Sequence, residues 1–204
     1  MKIIVVGGTG TIGKAIVTEL SQQHSIVVVG STHGQIQTDV TDINFIKEMY
    51  KAIGPFDALV AALGTIHFGP LPELTEDQFY IGIRKKLMSQ VNLVLQGLHH
   101  VNDGGSFTLT SGMLNVDPAP LGASAAMVNG ALEGFVRSAA LEMPRSTRIN
   151  LVSPTVIKES LAQYGEYFPG FEAVSAERVA LAYRKSVEGA QTGQVYRVGY
   201  TVPL

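Results

Sequence analysis

Hydrophobic positions follow two different periods along the chain. Short runs rich in Val and Ile are separated by longer stretches in which apolar residues recur every three or four positions. This alternation predicts βαβ units that form a parallel sheet. The predicted strands cover residues 2–6, 25–29, 36–40, 57–62, 105–110, 147–152 and 194–198. The predicted helices cover residues 11–23, 42–53, 75–100, 123–143 and 175–188.

The helix predicted over residues 75–100 has the clearest apolar stripe, and Thr75 with Gln78 forms a capping box at its start. The stripe consists of Phe79, Ile83, Leu87, Val91, Val94, Leu95 and Leu98. Proline and glycine are most frequent around 114–122 and 164–170. We expect these two segments to be surface loops that follow strands, which is where α/β sheets usually bind ligands.

Composition excludes several classes of function. The 204 residues suit one domain, and 46 % hydrophobic residues can fill its core. The net charge is -2 and the Lys and Arg residues are scattered, so we expect no nucleic-acid partner and no binding to an acidic membrane surface. The absence of cysteine rules out disulfides, thiolate metal sites and cysteine nucleophiles. No His and carboxylate cluster has metal-ligand spacing, so no metal site is predicted.

The first residues favour a cytoplasmic protein. Met1 and Lys2 lead directly into the apolar run 3–6, which glycine follows. That run is too short for the apolar core of a secretory leader, and no small-residue cleavage site comes after it. No stretch of the chain is apolar over the length that a bilayer requires.

A glycine-rich turn follows the first predicted strand and opens the first predicted helix. Its pattern is Gly8-x-Gly10-x-x-Gly13. Glycines at these positions permit a tight turn, close approach of the backbone to a pyrophosphate, and close packing of helix on strand. We therefore predict a nicotinamide dinucleotide site. Its first candidate residues are Gly7, Gly8, Thr9, Gly10, Thr11, Ile12 and Gly13.

Two other interpretations of this turn stay open at the level of sequence. With Lys14, the turn comes within one position of a phosphate-binding P-loop, but Ala15 stands where the Mg²⁺-binding hydroxyl is needed. The turn can also be a simple connection between strand and helix. Three glycines in register directly after an apolar strand favour dinucleotide binding over both.

The end of the second predicted strand favours NADP over NAD. This strand is followed by Ser31, Thr32 and His33 rather than by an acidic residue that would grip the ribose of NAD. The hydroxyls of Ser31 and Thr32 are available for the 2′-phosphate of NADP. No arginine is present there, so an ordinary polar loop and use of NAD remain alternatives.

The glycine turn and six further stretches resemble the short-chain dehydrogenase/reductase family over nearly the whole chain. The six are Asp39-Val40, Ala61-Ala62-Leu63-Gly64, 106–111, 130–142, Val152-Ser153-Pro154-Thr155 and 192–195. The resemblance implies a single Rossmann-type, doubly wound α/β domain over residues 1–204, with strand order 3-2-1-4-5-6-7. It also implies a small-molecule substrate and a homodimer or homotetramer. The additional cofactor-binding residues that it implies are Asp39, Val40, Ala62, Gly64, Pro154 and Thr155.

This chain departs from the catalytic pattern of the family, which uses Asn, Ser, Tyr and Lys. By alignment with the family pattern, Ser111 keeps the serine position, whereas Ala125 stands at the tyrosine position and Asn129 at the lysine position. The asparagine position falls on Lys86, so Asn and Lys are exchanged. We predict that Lys86 enters the active site. The alternative is that Arg84-Lys85-Lys86 is an ordinary solvated basic face.

Serine alone is a poor proton donor near neutrality, so another group must supply the proton. Lys86 is a candidate because burial lowers the pKa of an ammonium group. His67, on the loop after the fourth strand, is a second candidate, although a lone loop histidine is more often surface decoration. Tyr164 and Tyr167 are weaker candidates. The predicted catalytic set is Ser111, Lys86, Asn129 and His67.

The function predicted from these residues is an NADP(H)-dependent oxidoreductase that acts on a small carbonyl or alcohol through a non-standard active site. The alternative is a non-catalytic NADP-binding protein, such as a redox sensor or scaffold, in which loss of Tyr and Lys removed the chemistry. We favour the enzyme.

Overall fold

The computed structural model describes residues 1–201, and its seven strands form one parallel sheet. The strands are β1 (Lys2–Val6), β2 (Ser25–Gly30), β3 (Ile36–Gln37), β4 (Phe56–Ala61), β5 (Val101–Thr110), β6 (Arg148–Pro154) and β7 (Val195–Val198). Their order in the sheet is β3-β2-β1-β4-β5-β6-β7, and every neighbouring pair is parallel. The predicted fold class and strand order are confirmed.

Helices cover both faces of the sheet. They are α1 (Thr11–Leu20), α2 (Ile43–Ile53), α3 (Glu76–Gly82), α4 (Ser89–Gly97), α5 (Ala123–Ala139), α6 (Leu161–Tyr164) and α7 (Ala176–Glu188). A π-helical turn (Ile83–Met88) joins α3 to α4. Short 3₁₀ turns lie at Leu71–Glu73, Met113–Asn115, Lys158–Ser160 and Gly165–Tyr167.

The continuous apolar sequence of β1 explains the two layers of helices. Successive strand residues point to opposite faces, and all four of residues 3–6 are buried. Ile4 and Val6 pack into a core with α2, α4 and α5, whereas Ile3 and Val5 pack into a second core with α1 and α7. A strand without polar positions thus requires helices on both sides.

All strands run in the same direction, so their carboxyl ends meet at one edge of the sheet. The glycine turn after β1, residues 62–69 after β4, residues 111–122 after β5 and residues 155–174 after β6 therefore lie at this edge. All four segments carry predicted site residues, which are far apart in sequence. The edge is the expected ligand site of an open α/β sheet.

The helix predicted over residues 75–100 is interrupted. The Thr75/Gln78 capping box is present, but the π-helical turn divides the segment into α3 and α4. Hydrogen bonds from side chains explain how carbonyl groups are satisfied there: Ser89 Oγ donates to the Lys85 carbonyl at 3.0 Å, and Gln90 Nε2 donates to the Lys86 carbonyl at 3.0 Å. Apolar periodicity does not report such bonds, so the sequence predicted a regular helix.

Several other elements were predicted to be longer than they are in the structure. The helix predicted over 11–23 ends at Leu20, and the helix predicted over 123–143 ends at Ala139. A turn follows each of them, and Pro144 lies shortly beyond the second. The third strand is only two residues long, since Asp39 forms a turn in which its carboxylate accepts hydrogen bonds from Thr41. The segment 164–170, predicted as a loop, begins within short helical turns.

No helix within residues 1–201 is long and apolar enough to cross a lipid bilayer. Over the same residues, no group of three or more His, Asp or Glu side chains is placed to hold a metal ion.

The central strands should dominate stability. Leu59 in β4 is fully buried, so we expect Leu59→Ala to lower the free energy of unfolding by about 2–5 kcal/mol through lost apolar contact and a residual cavity. Leu141 is 88 % exposed, and Leu141→Ala, the matched control, should change it by less than about 0.5 kcal/mol. Urea denaturation measures both. Equal effects of the two substitutions would contradict the assigned core.

Candidate functional site

The glycine-rich turn is held by backbone contacts that leave no room for most side chains. Gly7 has φ of +79°, and its N–H donates to the Val29 carbonyl at 2.8 Å. A Cβ at Gly7 would collide with the Ala62 carbonyl, and one at Gly13 would collide with the carbonyl of Gly7. The glycines at these two positions therefore bring β1, β4 and α1 close together.

Gly10 differs from its neighbours in the turn. A Cβ there would have only the Gly7 carbonyl oxygen within 4 Å, at 3.4 Å, so the protein leaves the space beside Gly10 open. Gly10 is also the N-terminal flanking residue of α1, and no side chain caps that helix. The first N–H groups of α1 and the open face of Gly10 form a ready site for an anion such as a pyrophosphate.

A cavity of about 650 Å³ extends from this turn across the ends of β2 and β4. Eight of the predicted cofactor-binding residues line it: Gly7, Thr9, Gly10, Ser31, Asp39, Val40, Ala62 and Gly64. These residues come from four separate segments of the chain, so only the fold brings them together.

The other seven predicted cofactor-binding residues do not line this cavity, and three of them, Ile12, Pro154 and Thr155, line the smaller cavities described below. Gly8 and Gly13 serve packing, because a Cβ at either would meet neighbouring atoms within 3 Å. Thr11 lines a different cavity, between α1 and α7. The Thr32 hydroxyl is hydrogen-bonded to Nδ1 of His33 at 2.9 Å rather than facing the cavity wall.

Two smaller cavities continue from the large one. Gly64 and Thr65 line both the large cavity and a second one of about 350 Å³, which Ile12 and Thr155 also line. The second cavity shares several apolar residues with a third of about 170 Å³: Ile66, Phe68, Val156 and Phe168. Pro154 lines the third, together with Thr155. The three form one trough from Ser31 to Asn129.

Lys86 lies in the wall of the third cavity and is only 7 % exposed. Its ammonium group donates to Asn129 Oδ1 at 2.9 Å and to the carbonyl of Ser111 at 3.1 Å. Its aliphatic stem runs against Gly64, where any Cβ would collide with it. The structure thus brings together the two exchanged residues, Lys86 and Asn129, and excludes the solvated-face alternative for Lys86.

The π-helical turn and Gln90 position the lysine. Gln90 is fully buried and its amide nitrogen donates to both the Lys86 carbonyl and the Thr110 carbonyl, at 3.0 and 2.9 Å. Its amide oxygen accepts from the Thr110 N–H at 2.7 Å. These bonds tie the turn to the end of β5, one residue before Ser111. A π turn at a functional position is a common arrangement.

Burial lowers the pKa of the Lys86 ammonium group to about 7. The cause is loss of hydration, which disfavours the charged form. No carboxylate lies within ion-pair distance among the described residues to offset this. Lys86 can therefore gain and lose a proton near neutral pH.

Ser111 and Ala125 complete the surroundings of the ammonium group. Ser111 Oγ is buried and has no hydrogen-bond partner within residues 1–201. Ala125 lines the same cavity one helical turn before Asn129. A residue larger than Ala125 would extend into the cavity that Lys86 and Ser111 also line.

The remaining proton-donor candidates lie farther from this centre. His67 lines none of the three cavities, and its ring lies beside Gly69. Tyr164 lines the second cavity but not the third. Tyr167 stacks on Phe68, with ring centroids 5.6 Å apart. The structure groups Lys86, Ser111 and Asn129 and leaves His67 apart from them.

Sequence reasoning missed two residues at the site. Gln90 gave no signal, because a glutamine on a helix usually faces solvent. Lys85, in the same basic run, is exposed and also lines the large cavity. Two aromatic residues of the segment after β6, Tyr164 and Phe168, line the second cavity.

The trough has the features that a dinucleotide needs. It has an open glycine backbone at a helix N-terminus, polar residues at the end of β2, and an apolar end with an unpartnered hydroxyl at Ser111. The described residues therefore fit a nicotinamide dinucleotide.

Comparison with known sequences gives a match over most of the chain. A family model described as enoyl-(acyl carrier protein) reductase matches residues 8–196. Versicolorin reductase 1 of Aspergillus parasiticus is 28 % identical over 206 aligned positions, which cover 87 % of this chain and 79 % of that protein. Versicolorin reductase stcU of Emericella nidulans is 29 % identical, with coverage of 87 % and 78 %.

Solved structures agree with the fold. The protein lin1944 from Listeria innocua is 47 % identical, with a TM-score of 0.95 and coverage of 97 % of this chain and 98 % of that one. A small-chain dehydrogenase in complex with NADPH is 25 % identical, with a TM-score of 0.86 and coverage of 97 % and 96 %. Because the family match spans both the glycine turn and the cavity around Lys86, the chain belongs to the short-chain dehydrogenase/reductase family, whose members are NAD(P)-dependent oxidoreductases.

Proposed function

We propose that this protein is an NADP(H)-dependent oxidoreductase of a small carbonyl or alcohol, in which Lys86 takes the role of proton donor and acceptor. The observation that carries the proposal is the buried Lys86 ammonium group, which faces a cavity that joins the dinucleotide trough. Asn129 and Ser111 are its partners.

The hydrogen bonds of the ammonium group support this role. An ammonium group has three N–H donors. Two of them are used by Asn129 Oδ1 and the Ser111 carbonyl, at 2.9 and 3.1 Å. The third is free to donate to a substrate oxygen, and the unpartnered Ser111 hydroxyl provides a second hydrogen bond to the same oxygen.

Bound in the trough, the cofactor would supply a hydride to the carbonyl carbon of the substrate as NADPH, or accept one from the alcohol carbon as NADP⁺. Lys86 donates a proton to the carbonyl oxygen as its ammonium group becomes a neutral amine, and the product is an alcohol. In the opposite direction the neutral amine accepts the alcohol proton. Asn129 Oδ1 and the Ser111 carbonyl keep the nitrogen in place throughout.

The walls of the third cavity restrict the substrate. Apart from Lys86, Ser111, Asn129 and Thr155, they are made of apolar side chains and Gly112. The apolar members are Ile66, Phe68, Met113, Leu114, Ala125, Pro154, Val156 and Phe168. An uncharged, largely apolar carbonyl compound fits such walls, because Lys86 is the only charged residue among them and they offer no partner for a charged group elsewhere on the substrate.

Use of NADP is supported by the end of β2 and by one relative. Residues 30–33 include no carboxylate that would hydrogen-bond a free ribose 2′-hydroxyl or repel a 2′-phosphate. Ser31, in this segment, lines the cavity. The small-chain dehydrogenase of similar structure was solved in complex with NADPH.

Gly10→Ala tests the dinucleotide site. The protein should fold normally because a Cβ at Gly10 meets only one atom, but the added methyl group occupies space that the pyrophosphate needs. We expect the Kd for NADPH to rise about tenfold or more, measured by fluorescence titration. Gly134→Ala, where a Cβ meets nothing within 4 Å, is the matched control and should leave the Kd unchanged. Unaltered binding by Gly10→Ala would contradict the assigned site.

Lys86→Met tests the proton donor. The variant keeps the apolar stem and loses the ammonium group, so we expect kcat to fall by about 100-fold or more. The Kd for NADPH should change much less, because the large cavity is untouched. Purified protein with NADPH and a panel of aldehydes, ketones and quinones gives both quantities. Lys51→Met, at an exposed position, is the control. NADPH binding without turnover of any compound by the wild type would favour a non-catalytic NADP-binding protein.

The pH dependence follows from the pKa of Lys86, which burial lowers to about 7. Reduction needs the protonated form, so kcat/KM for a carbonyl should fall as the pH rises through about 7. Oxidation needs the neutral amine, so kcat/KM for the alcohol should rise over the same interval. Any residual activity of Lys86→Met should lack both transitions. Profiles that rise or fall together in the two directions would refute the assignment.

A further inference from the structure

Three consecutive basic residues have three different environments in this structure. The Arg84 guanidinium lies over the ring of Tyr80, 5.2 Å from its centroid. Lys86 is buried at the substrate end of the trough. Lys85 is exposed and lines the large cavity at the other end. The π-helical turn that contains all three residues thus directs two adjacent lysines to two different parts of the trough.

The charge of Lys85 is not neutralised by the protein. Within residues 1–201, Lys85 takes part in no ion pair. The one carboxylate in the cavity wall belongs to Asp39, and its Oδ1 accepts hydrogen bonds from the Thr41 N–H at 2.9 Å and the Thr41 hydroxyl at 2.7 Å. Those two bonds and the charge of Lys85 hold the pKa of Asp39 below its usual value. Lys85 acts on Asp39 electrostatically but forms no ion pair, so its ammonium group is available to an anion in the cavity.

A positive charge in the cavity wall would favour NADP over NAD, because NADP carries the additional 2′-phosphate. The 2′-phosphate of the adenosine ribose lies at the end of the second strand in folds of this type. That end supplies Ser31, but the Thr32 hydroxyl is already bonded to His33. Among the described residues that line the cavity, Lys85 is the only one with a positive charge. Lys14, in the adjacent helix, lines the cavity between α1 and α7 instead.

We propose that Lys85 binds the 2′-phosphate of NADP across the cavity from Ser31 and thereby sets the preference for NADP over NAD. This proposal rests on the proposed function, because it assigns a role within the same dinucleotide site. A lysine suits it, since its ammonium group is a point charge on a flexible four-carbon stem that can reach a phosphate within the cavity that Lys85 and Ser31 both line.

The proposal differs from a general attraction of a basic surface for an anionic cofactor. NADP and NAD share the pyrophosphate, so a lysine that acts on the pyrophosphate or on the whole field of the cavity affects both cofactors. A lysine that contacts the 2′-phosphate affects NADP alone. The ratio of the two affinities therefore distinguishes the two situations.

The test compares Lys85→Met with Arg84→Met, which removes the same charge from the neighbouring position outside the cavity. Dihydronicotinamide fluorescence gives the Kd of NADPH and of NADH for each protein. For Lys85→Met we expect the Kd of NADPH to rise about tenfold or more, because a charge-assisted bond to a phosphate is lost. The Kd of NADH should stay within about twofold of the wild-type value. Arg84→Met should change neither, and Lys85→Arg should keep most of the preference.

Each result decides one question. If Lys85→Met weakens the binding of NADPH and NADH equally, or weakens the binding of neither, Lys85 does not contact the 2′-phosphate and the inference is overturned. The proposed dinucleotide site is not affected by that result. If the wild-type protein binds neither cofactor, the proposed function fails as well. If Arg84→Met lowers the affinity for NADPH as much as Lys85→Met does, the inference is also overturned, because the effect would then not depend on which basic residue lines the cavity.

Discussion

A buried ammonium group must keep its N–H groups hydrogen-bonded, and much of the site follows from that requirement at Lys86. Its stem needs a neighbour without a side chain, which Gly64 provides. Two of its donors need acceptors, which are Asn129 Oδ1 and the Ser111 carbonyl. These contacts join the loop after β4, the π-helical turn, the end of β5 and helix α5 around one nitrogen atom.

The same requirement explains the exchange of residue types. The family pattern has Asn on the helix after the fourth strand and Lys on the helix after the fifth. At the positions that we align with these two, this chain has Lys86 and Asn129, whose side chains meet in a hydrogen bond of 2.9 Å. The pair keeps its polar complementarity although each partner has moved to the other helix. Ala125, which we align with the tyrosine of the family pattern, lines the same cavity as Lys86.

The π-helical turn links the two ends of the trough. Its carbonyl groups are satisfied by Ser89 and Gln90, and Gln90 is bonded to the end of β5 in turn. The turn allows Lys85 and Lys86, adjacent in sequence, to line cavities at opposite ends. One local irregularity of a helix therefore serves both cofactor preference and proton transfer in the proposals made above.

Local patterns in the sequence determined the alternation of strands and helices, the two covered faces of the sheet and the glycine-rich turn, whereas the strand order and the cofactor residues beyond that turn and the end of the second strand were implied by the family resemblance. Apolar strands without polar positions require two covered faces, and Gly10 has its meaning from its place between a strand and a helix. The tertiary structure decided what depends on contacts between distant segments. Periodicity predicted one regular helix where Gln90 supports a π turn, and a basic run left open whether Lys86 was solvated. The fold packs Lys86 against Gly64 and Asn129 and so places the ammonium group in the wall of a cavity. The sequence could not show this, because the burial of a side chain depends on residues that are distant in sequence.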